Sequence, residues 1–184
     1  MARYISILRG INVSGRNKIG MAALRDLYLK LGFKDVETYI QSGNVVFSHP
    51  SAQPDVLAER ISSAMGDSFG TIIPVLVLER EELRKVVRDN PFPEQPGKQA
   101  AFLHVTFLAS VPDSPDLENI RQKQGPGEEF VLSNRAVYLY CPNGYGKSRL
   151  SNTAFERILK VTATTRNWRT VNLLLEMAEQ KAGS

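Results

Sequence analysis

The sequence predicts an α+β protein that contains two tandem units, each with a βαββαβ-type order of elements and an antiparallel sheet. Short β-branched runs alternate with helical apolar stripes over residues 4–78, in the order strand, helix, strand, strand, helix, strand. A similar order begins again after residue 99. With 184 residues, the chain is long enough for two small domains.

The first predicted unit opens with a β-branched, apolar strand from Tyr4 to Ile11. A loop then leads into a helix, and Gly32 follows this helix as a left-handed cap. The helix is predicted from apolar residues at helical spacing, which are Met21, Leu24, Leu27, Tyr28 and Leu31. Ser42-Gly43 is a tight-turn signal between strands at 36–41 and 44–48.

A second helix and a fourth strand complete the first unit. Pro54 fits the first position of the helix, and another apolar stripe follows it. The strand at 72–78 contains Pro74, which cannot donate to a ladder and therefore belongs at a sheet edge or at a strand start. Ferredoxin-like folds have this βαββαβ order and carry the fourth strand at the edge. We therefore expect the strand order 4-1-3-2, with both helices on one face.

A change in composition sets the predicted domain limits. Residues 79–89 predict a short, highly charged helix, and residues 90–97 contain three prolines and one glycine. Such a proline-rich segment is typical of a linker. The sequence thus predicts a first ferredoxin-like unit at 1–89, a linker at 90–99 and a second ferredoxin-like unit at 100–184.

The second predicted unit repeats the order, with one difference at its end. Its expected elements are a strand at 102–108, a weak helix at 116–124, hairpin strands at 130–132 and 137–141, and helices at 153–160 and 166–181. In this prediction a helix stands where the fourth strand would be. The second unit therefore ends in an extra C-terminal helix.

Composition indicates a cytoplasmic protein without a membrane partner. No apolar run approaches the roughly 20 residues that span a bilayer, and the N-terminus lacks a signal-peptide pattern. The single cysteine, Cys141, excludes an internal disulfide and fits a reducing compartment. Because Cys141 alternates with Val137 and Leu139, we interpret it as a buried packing residue rather than a reactive thiol.

The net charge of +4 is concentrated at the two ends of the chain. Residues 1–50 and residues 141–184 each carry seven lysines and arginines against three acidic residues, whereas the residues between them are net acidic. A basic surface favours anionic partners. Three basic segments at these ends are candidates for binding one.

The first candidate segment is the loop after the first strand. Its candidate ligand-binding residues are Arg9, Asn12, Ser14, Arg16 and Lys18. No acidic residue occurs between positions 1 and 25, and the loop's two glycines would let backbone N–H groups approach an anion ahead of a helix N-terminus. The alternative is a solvated connecting loop. The glycine spacing does not match the dinucleotide-binding fingerprint.

The second candidate segment runs from Cys141 to Ser148 and superficially resembles a phosphate loop. The match fails because cysteine stands at 141, where the first glycine would be required. We interpret this segment as a flexible basic loop that presents Lys147 and Arg149 to a ligand.

The third candidate segment, Thr164–Thr170, is predicted to open the last helix, with Thr164 or Thr165 as its N-cap. Its candidate ligand-binding residues are Arg166, Asn167 and Arg169. Cations at the positive end of a helix dipole are unfavourable by roughly a few tenths of a kcal/mol each, so a compensating ligand or acidic side chain is expected. The predicted buried stripe of this helix is Trp168, Val171, Leu175 and Ala178, with Leu174 at its border.

The sequence predicts no cofactor and no metal site, and it leaves any catalytic residues unknown. The two histidines, His49 and His104, fall in a turn and inside a strand, and no His, Cys or carboxylate cluster has metal-ligand spacing. RNA-recognition modules share the βαββαβ order. Here, however, Asn44 and Val46 stand where their stacking aromatic rings would be expected.

Four stretches carry a resemblance to a known family. They are Ile7–Val13 with Lys18, the Tyr39–Phe47 hairpin, Asn90–Phe92, and Thr162–Val171, of which the last, with its Arg-Asn-Trp-Arg-Thr core, is the most specific. In these stretches the chain resembles a widespread bacterial family catalogued as domain of unknown function 1697. The resemblance implies an α+β fold of duplicated ferredoxin-like units, and it implies no activity.

We interpret the protein as one that binds a phosphate-bearing ligand, either nucleic acid or nucleotide, in a basic groove that the three candidate segments share. Two alternatives remain open at this point. One is an enzyme that acts on a small phosphorylated substrate, and the other is an interaction module whose basic patch pairs with an acidic protein.

Overall fold

The computed structural model of the chain describes residues 1–180. The chain forms two compact units. The first comprises residues 1–85 together with residues 173–180, and the second comprises residues 86–172. The domain limits predicted from the sequence, with a linker at 90–99, stay a prediction.

The first unit contains one four-stranded antiparallel sheet. Its strands are Ala2–Leu8 (β1), Lys34–Tyr39 (β2), Asn44–His49 (β3) and Val75–Glu79 (β4). They lie in the order β2-β3-β1-β4, which confirms the predicted order 4-1-3-2. Pro74 directly precedes β4 at the sheet edge, where its missing N–H breaks no ladder bond.

Two helices pack on one face of this sheet, as predicted. These two helices are Met21–Lys30 (α1) and Pro54–Phe69 (α2). A third helix, Arg80–Arg88 (α3), follows β4. The core beneath α1 and α2 is aromatic: the Phe47 ring stacks on Phe33 at 4.5 Å and on Tyr4 at 5.7 Å, and Tyr28 meets it edge-on. The buried Tyr28 hydroxyl shares a 2.7 Å hydrogen bond with Ser6, and burial raises the pKa of Tyr28.

The second unit repeats the architecture of the first. Its strands are Leu103–Leu108 (β5), Glu129–Ser133 (β6), Ala136–Tyr140 (β7) and Ala163–Asn167 (β8), and its sheet has the order β6-β7-β5-β8. Its helices are Leu117–Arg121 (α4) and Asn152–Leu159 (α5), and Trp168–Glu179 (α6) follows β8. The chain is therefore an α+β protein with a duplicated ferredoxin-like fold and an extra final helix.

The prediction that the last helix begins near Thr164 is wrong. Residues 163–167 form β8, in which Thr165 pairs with Thr106 and Arg166 pairs with Val105. The helix begins only at Trp168, and the Asn167 side chain caps it by accepting a 2.8 Å hydrogen bond from the Thr170 N–H. Consecutive β-branched threonines favour the strand here. The second unit thus has the fourth strand that the sequence prediction lacked.

The buried stripe of α6 also differs from the prediction. Val171, Leu174 and Ala178 are fully buried, whereas Trp168 and Leu175 are only half-buried. The stripe therefore follows positions 171, 174 and 178, and Leu174 is its centre rather than its border. Two of the four predicted stripe residues, Val171 and Ala178, are therefore confirmed as buried.

Buried Arg3 attaches the end of α6 to the first sheet. Its guanidinium donates to the backbone oxygens of Asp35 and Met177, to Ser48 Oγ and to the Glu37 carboxylate, at 3.0–3.3 Å. A buried arginine with four acceptors is stabilised despite its lost hydration. Arg3, one of the basic residues of the N-terminal segment, therefore has a structural role.

Cys141 is fully buried directly after β7, as the sequence predicted. Burial, together with the negative charge of Glu128, raises the pKa of the Cys141 thiol to about 11. Its thiolate is therefore scarce at neutral pH, in agreement with a packing role. None of the helices in residues 1–180 combines the length and the apolar character needed to cross a lipid bilayer.

Candidate functional site

The loop between β1 and α1 has an unusual backbone. Five of its residues have positive φ: Gly10 at 75°, Asn12 at 53°, Ser14 at 50°, Gly15 at 75° and Asn17 at 48°. Three of these are not glycine: Asn12 and Asn17 are of a residue type that tolerates left-handed backbone comparatively well, whereas Ser14 rarely adopts it. Strained backbone of this kind persists only where surrounding contacts hold it, and it is frequent at functional sites.

The loop tip is a small hairpin. Ser14 and Gly15, its two central residues, both have positive φ, as a type I′ turn requires. Val13 and Arg16 form an antiparallel bridge, with a 2.9 Å hydrogen bond from the Arg16 N–H to the Val13 oxygen. The tip is therefore folded, and Arg16 has a defined place on it.

Two asparagines brace the loop from inside. Asn12 Nδ2 donates to the Ile19 oxygen at 2.9 Å and to the Gln41 oxygen at 2.8 Å, while Asn12 Oδ1 accepts from the Ile19 N–H at 2.8 Å. Asn17 Nδ2 donates to the Gly10 oxygen at 3.0 Å. Asn12, predicted from the sequence as a ligand-binding residue, thus holds the loop in shape.

The β2–β3 connection supports the loop at its base. The Leu8 N–H donates to the Gly43 oxygen at 2.9 Å. Gly43 has a φ of +85°, and a Cβ atom there would lie 2.9 Å from Leu8 Cβ, so this position strongly favours glycine. Gly43 and Gln41 therefore connect the Tyr39–Phe47 stretch to Leu8 and Asn12 of the Ile7–Val13 stretch, and the two stretches form one structural assembly.

An open groove of about 530 Å³ lies beside this loop. One wall is the loop itself and the other is the segment before β4; together they contribute Arg9, Gly10, Val13, Ser14, Arg16, Asn17, Ile72, Ile73 and Pro74. A 3.0 Å hydrogen bond from the Arg9 N–H to the Pro74 oxygen joins the two walls. These nine residues include two arginines and no acidic residue.

The first-unit predictions fall into three groups. The groove is lined by Arg9, Ser14 and Arg16. Asn12 holds the loop in shape. Lys18 is exposed on the loop and does not line the groove. The groove therefore contains three of the five predicted residues.

Sequence reasoning missed the second wall, which is formed by residues 72–74. A signal for it existed in the predicted strand order. Placing the fourth strand beside the first brings the residue before β4 next to the residue after β1, and the observed register pairs Leu8 with Val75. The prediction treated the loop as an isolated segment and did not use this neighbour.

Lys147 and Arg149 lie on the surface of the second unit. Lys147 ends the one-turn 3-10 helix Tyr145–Lys147 and is exposed. Arg149 is also exposed, and its guanidinium donates to the Gln122 oxygen at 3.2 Å. Neither residue follows a glycine-rich phosphate loop, because the chain there forms a 3-10 turn.

The prediction that Arg166 lies at a helix start is wrong. Arg166 is a residue of β8, only 9% exposed, and its guanidinium donates to Thr164 Oγ1 at 3.1 Å and to the Thr165 oxygen at 3.0 Å. Burial lowers the pKa of Arg166 to about 10. Arg169 alone keeps the predicted position in the first turn of α6, where it is exposed.

Thr165 is the centre of a hydroxyl network in the second unit. Its Oγ1 donates to Asn152 Oδ1 at 2.7 Å, accepts from the Tyr145 hydroxyl at 3.1 Å and lies 2.7 Å from Thr106 Oγ1. The Tyr145 ring in turn stacks on His104 at 4.8 Å. The Thr162–Val171 stretch therefore joins β8 to β5, to α5 and to the Tyr145 turn.

We expect Arg166→Ala to lower the free energy of unfolding by about 1–2 kcal/mol, because its hydrogen bonds, among them those to Thr164 and Thr165, and its buried contacts are lost. Arg169→Ala should change that free energy by no more than about 0.5 kcal/mol, or raise it slightly, since it removes an exposed cation from the positive helix end. Urea denaturation of both variants measures the difference. Equal unfolding midpoints for the two would contradict the buried position of Arg166.

The ten predicted ligand-binding residues are divided between the two units, five in each. Their convergence on one groove stays a prediction. Within residues 1–180, no group of three or more His, Cys, Asp or Glu side chains is arranged to hold a metal ion.

Comparisons with known proteins agree with this fold. The chain superposes on the solved structure of a conserved bacterial protein from Streptococcus pneumoniae with a TM-score of 0.70 and 22% identity, covering 97% of this chain and 99% of that chain. The comparison with curated proteins gave no match. The family model "Protein of unknown function (DUF1697)" matches residues 1–138, so that the Thr162–Val171 stretch lies beyond the matched region. The chain therefore belongs to the DUF1697 family.

Proposed function

We propose that the protein binds a phosphate-bearing ligand, a nucleotide or nucleic acid, in the groove beside the β1–α1 loop. One observation carries this proposal: the groove is lined by Arg9 and Arg16, with no acidic residue among its nine lining residues. Guanidinium groups bind phosphate through paired, charge-assisted hydrogen bonds. A basic concave surface also raises the local concentration of anions.

The start of α1 adds to this electrostatic preference. The loop ends at Gly20, the N-cap of α1, which makes no side-chain capping bond, and the first turn of α1 contains no acidic residue. The partial positive charge of the helix start is therefore not neutralised by its own side chains. It would stabilise a negative charge bound near the loop.

Binding is a better proposal than catalysis for this groove. Its nine lining residues include no histidine, cysteine or carboxylate that could act as a general acid or base. Ser14 is the only hydroxyl among them, and no neighbouring base in the lining would activate it.

We further propose a cytoplasmic location, since a buried, unpaired Cys141 suits a reducing compartment.

The test is isothermal titration calorimetry, in which pyrophosphate is titrated into the wild-type protein and into the Arg16→Gln variant. Arg16 is exposed, so the substitution should leave stability nearly unchanged. We expect the Kd for pyrophosphate to rise about 10-fold, because a charge-assisted contact is lost. We also expect the wild-type affinity to fall as salt concentration increases.

Lys34→Gln is the matched control, since it removes one exposed cation of the same unit outside the groove. It should leave the Kd for pyrophosphate within about twofold of the wild-type value. If Lys34→Gln weakens binding as much as Arg16→Gln, the binding is a property of the general surface charge and the proposed groove is wrong.

A further inference from the structure

We propose that the groove takes a single nucleoside phosphate, rather than a nucleic-acid strand or a bare sugar phosphate. This inference rests on the proposed function of the same groove. It is carried by the combination of arginines with exposed aliphatic side chains around one concave surface.

The aliphatic part of the groove is unusually exposed. Ile72 is 81% exposed and Val13 is 55% exposed, and each lies on one of the two facing walls. A phosphate group needs only the arginines and would leave both side chains in water. A ligand that also carries a flat apolar group would cover them and gain from the buried apolar area. A hydroxyl-rich sugar phosphate offers no such group.

The size of the groove suits a small molecule. Small-ligand sites typically have volumes of roughly 300–1,000 Å³. The groove, at about 530 Å³, is in the middle of that range. One base, one ribose and one or two phosphates fit within such a volume.

Two observations argue against a nucleic-acid strand. Single-strand binding sites rely on aromatic side chains on which successive bases stack, and the nine lining residues include none. RNA-recognition modules of the same βαββαβ order use the sheet face opposite the helices. In the first sheet that face presents Asn44, Val46 and Ser48 from β3, and all three are at most 1% exposed. Neither surface offers a stacking platform.

The loop is also pre-organised for a defined ligand. Asn12 and Asn17 hold its left-handed residues with four side-chain hydrogen bonds, so little further ordering is required on binding. A fixed loop favours one ligand of matching shape over sequence-tolerant contact with a flexible polymer.

The experiment compares AMP, ribose 5-phosphate, pyrophosphate and a single-stranded oligonucleotide by calorimetry on the full chain. We expect AMP to saturate one site per chain and to bind about 10-fold more tightly than ribose 5-phosphate. Ile72→Ser should raise the Kd for AMP about 5–10-fold and change that for ribose 5-phosphate by no more than about twofold. Val56→Ser, which alters an exposed aliphatic residue on α2 outside the groove, is the control and should affect neither.

The outcomes separate the two proposals. Equal affinities for AMP and ribose 5-phosphate, no effect of Ile72→Ser, or tighter binding of the oligonucleotide than of AMP would each overturn the nucleoside phosphate while leaving a phosphate site in place. If pyrophosphate, AMP and the oligonucleotide all fail to bind, the proposed function itself is wrong, and this inference fails with it.

Discussion

Gly43→Ala should lower the free energy of unfolding by about 2–5 kcal/mol, the largest effect that we expect from removing or adding a single methyl group in this protein. Gly43 has a φ of +85°, which alone is unfavourable for alanine. The new Cβ would also lie 2.6 Å from Ile11 Cδ1 and 2.9 Å from Leu8 Cβ. Ile11 can move its side-chain end, but Leu8 Cβ is fixed to the backbone of β1.

Gly32→Ala provides the matched control. Gly32 has nearly the same φ, +84°, but a Cβ there would meet no atom within 4 Å. Gly32→Ala should therefore lower the free energy of unfolding only through its unfavourable backbone conformation, by about 1–2 kcal/mol. Urea denaturation of both variants separates the steric effect from the conformational one. Equal losses at the two positions would show that Gly43 is not in close contact with Leu8 and Ile11.

The Gly43 variant also bears on the candidate site. Because Gly43 lies against Leu8 and Ile11 at the start of the loop, displacement of these residues would move Arg9, whose N–H bonds the Pro74 oxygen and so joins the two walls of the groove. We therefore expect the folded fraction of Gly43→Ala to bind pyrophosphate more weakly than the folded fraction of Gly32→Ala. If both variants bind pyrophosphate with the same affinity, the groove tolerates movement at its base.

Thr165→Val should lower the free energy of unfolding by about 2–4 kcal/mol. Valine has the shape of threonine but cannot hydrogen-bond, so Thr106, Tyr145 and Asn152 would all lose their shared partner. Thr106 is fully buried, and its hydroxyl would be left without compensation by solvent. The half-buried Tyr145 and Asn152 can recover part of the loss through water.

Thr165→Ser is the control for this prediction. Serine keeps the hydroxyl and loses one methyl group, so it should lose no more than about 1 kcal/mol. Thermal or urea unfolding of the two variants distinguishes the hydrogen bonds from the packing. If the serine and valine variants unfold at the same midpoint, the hydrogen-bond network of Thr165 does not stabilise this part of the Thr162–Val171 stretch.

The structure changes the interpretation of that stretch. Its residues combined threonines, two arginines and an asparagine in a basic segment, a pattern that predicts an anion site. In the fold, Thr165 joins neighbouring elements, Arg166 is buried in a strand and Asn167 caps α6. Of this stretch's three candidate ligand-binding residues, only Arg169 keeps a freely exposed position in the first turn of the helix.

The sequence alone determined the element order of the first unit and the order of its strands. Those features follow from the two-residue and 3.6-residue periodicities of apolar residues and from the position of Pro74, all of which are local signals. It also identified Arg9, Ser14 and Arg16 as candidates, since charge and acid depletion within one loop are visible in the chain itself.

Only the tertiary structure decided which of the polar residues face solvent and which hold the fold. β8 forms because Thr164 and Thr165 find a neighbour in β5, about 60 residues earlier in the chain, and such pairing leaves no periodic mark in a five-residue segment. Asn12 holds the loop in shape because its Nδ2 donates to the backbone oxygens of Ile19 and Gln41 and its Oδ1 accepts from the Ile19 N–H. The groove itself exists because β4 pairs with β1 and brings Ile72 and Pro74 beside the loop, a contact between residues that are far apart in sequence.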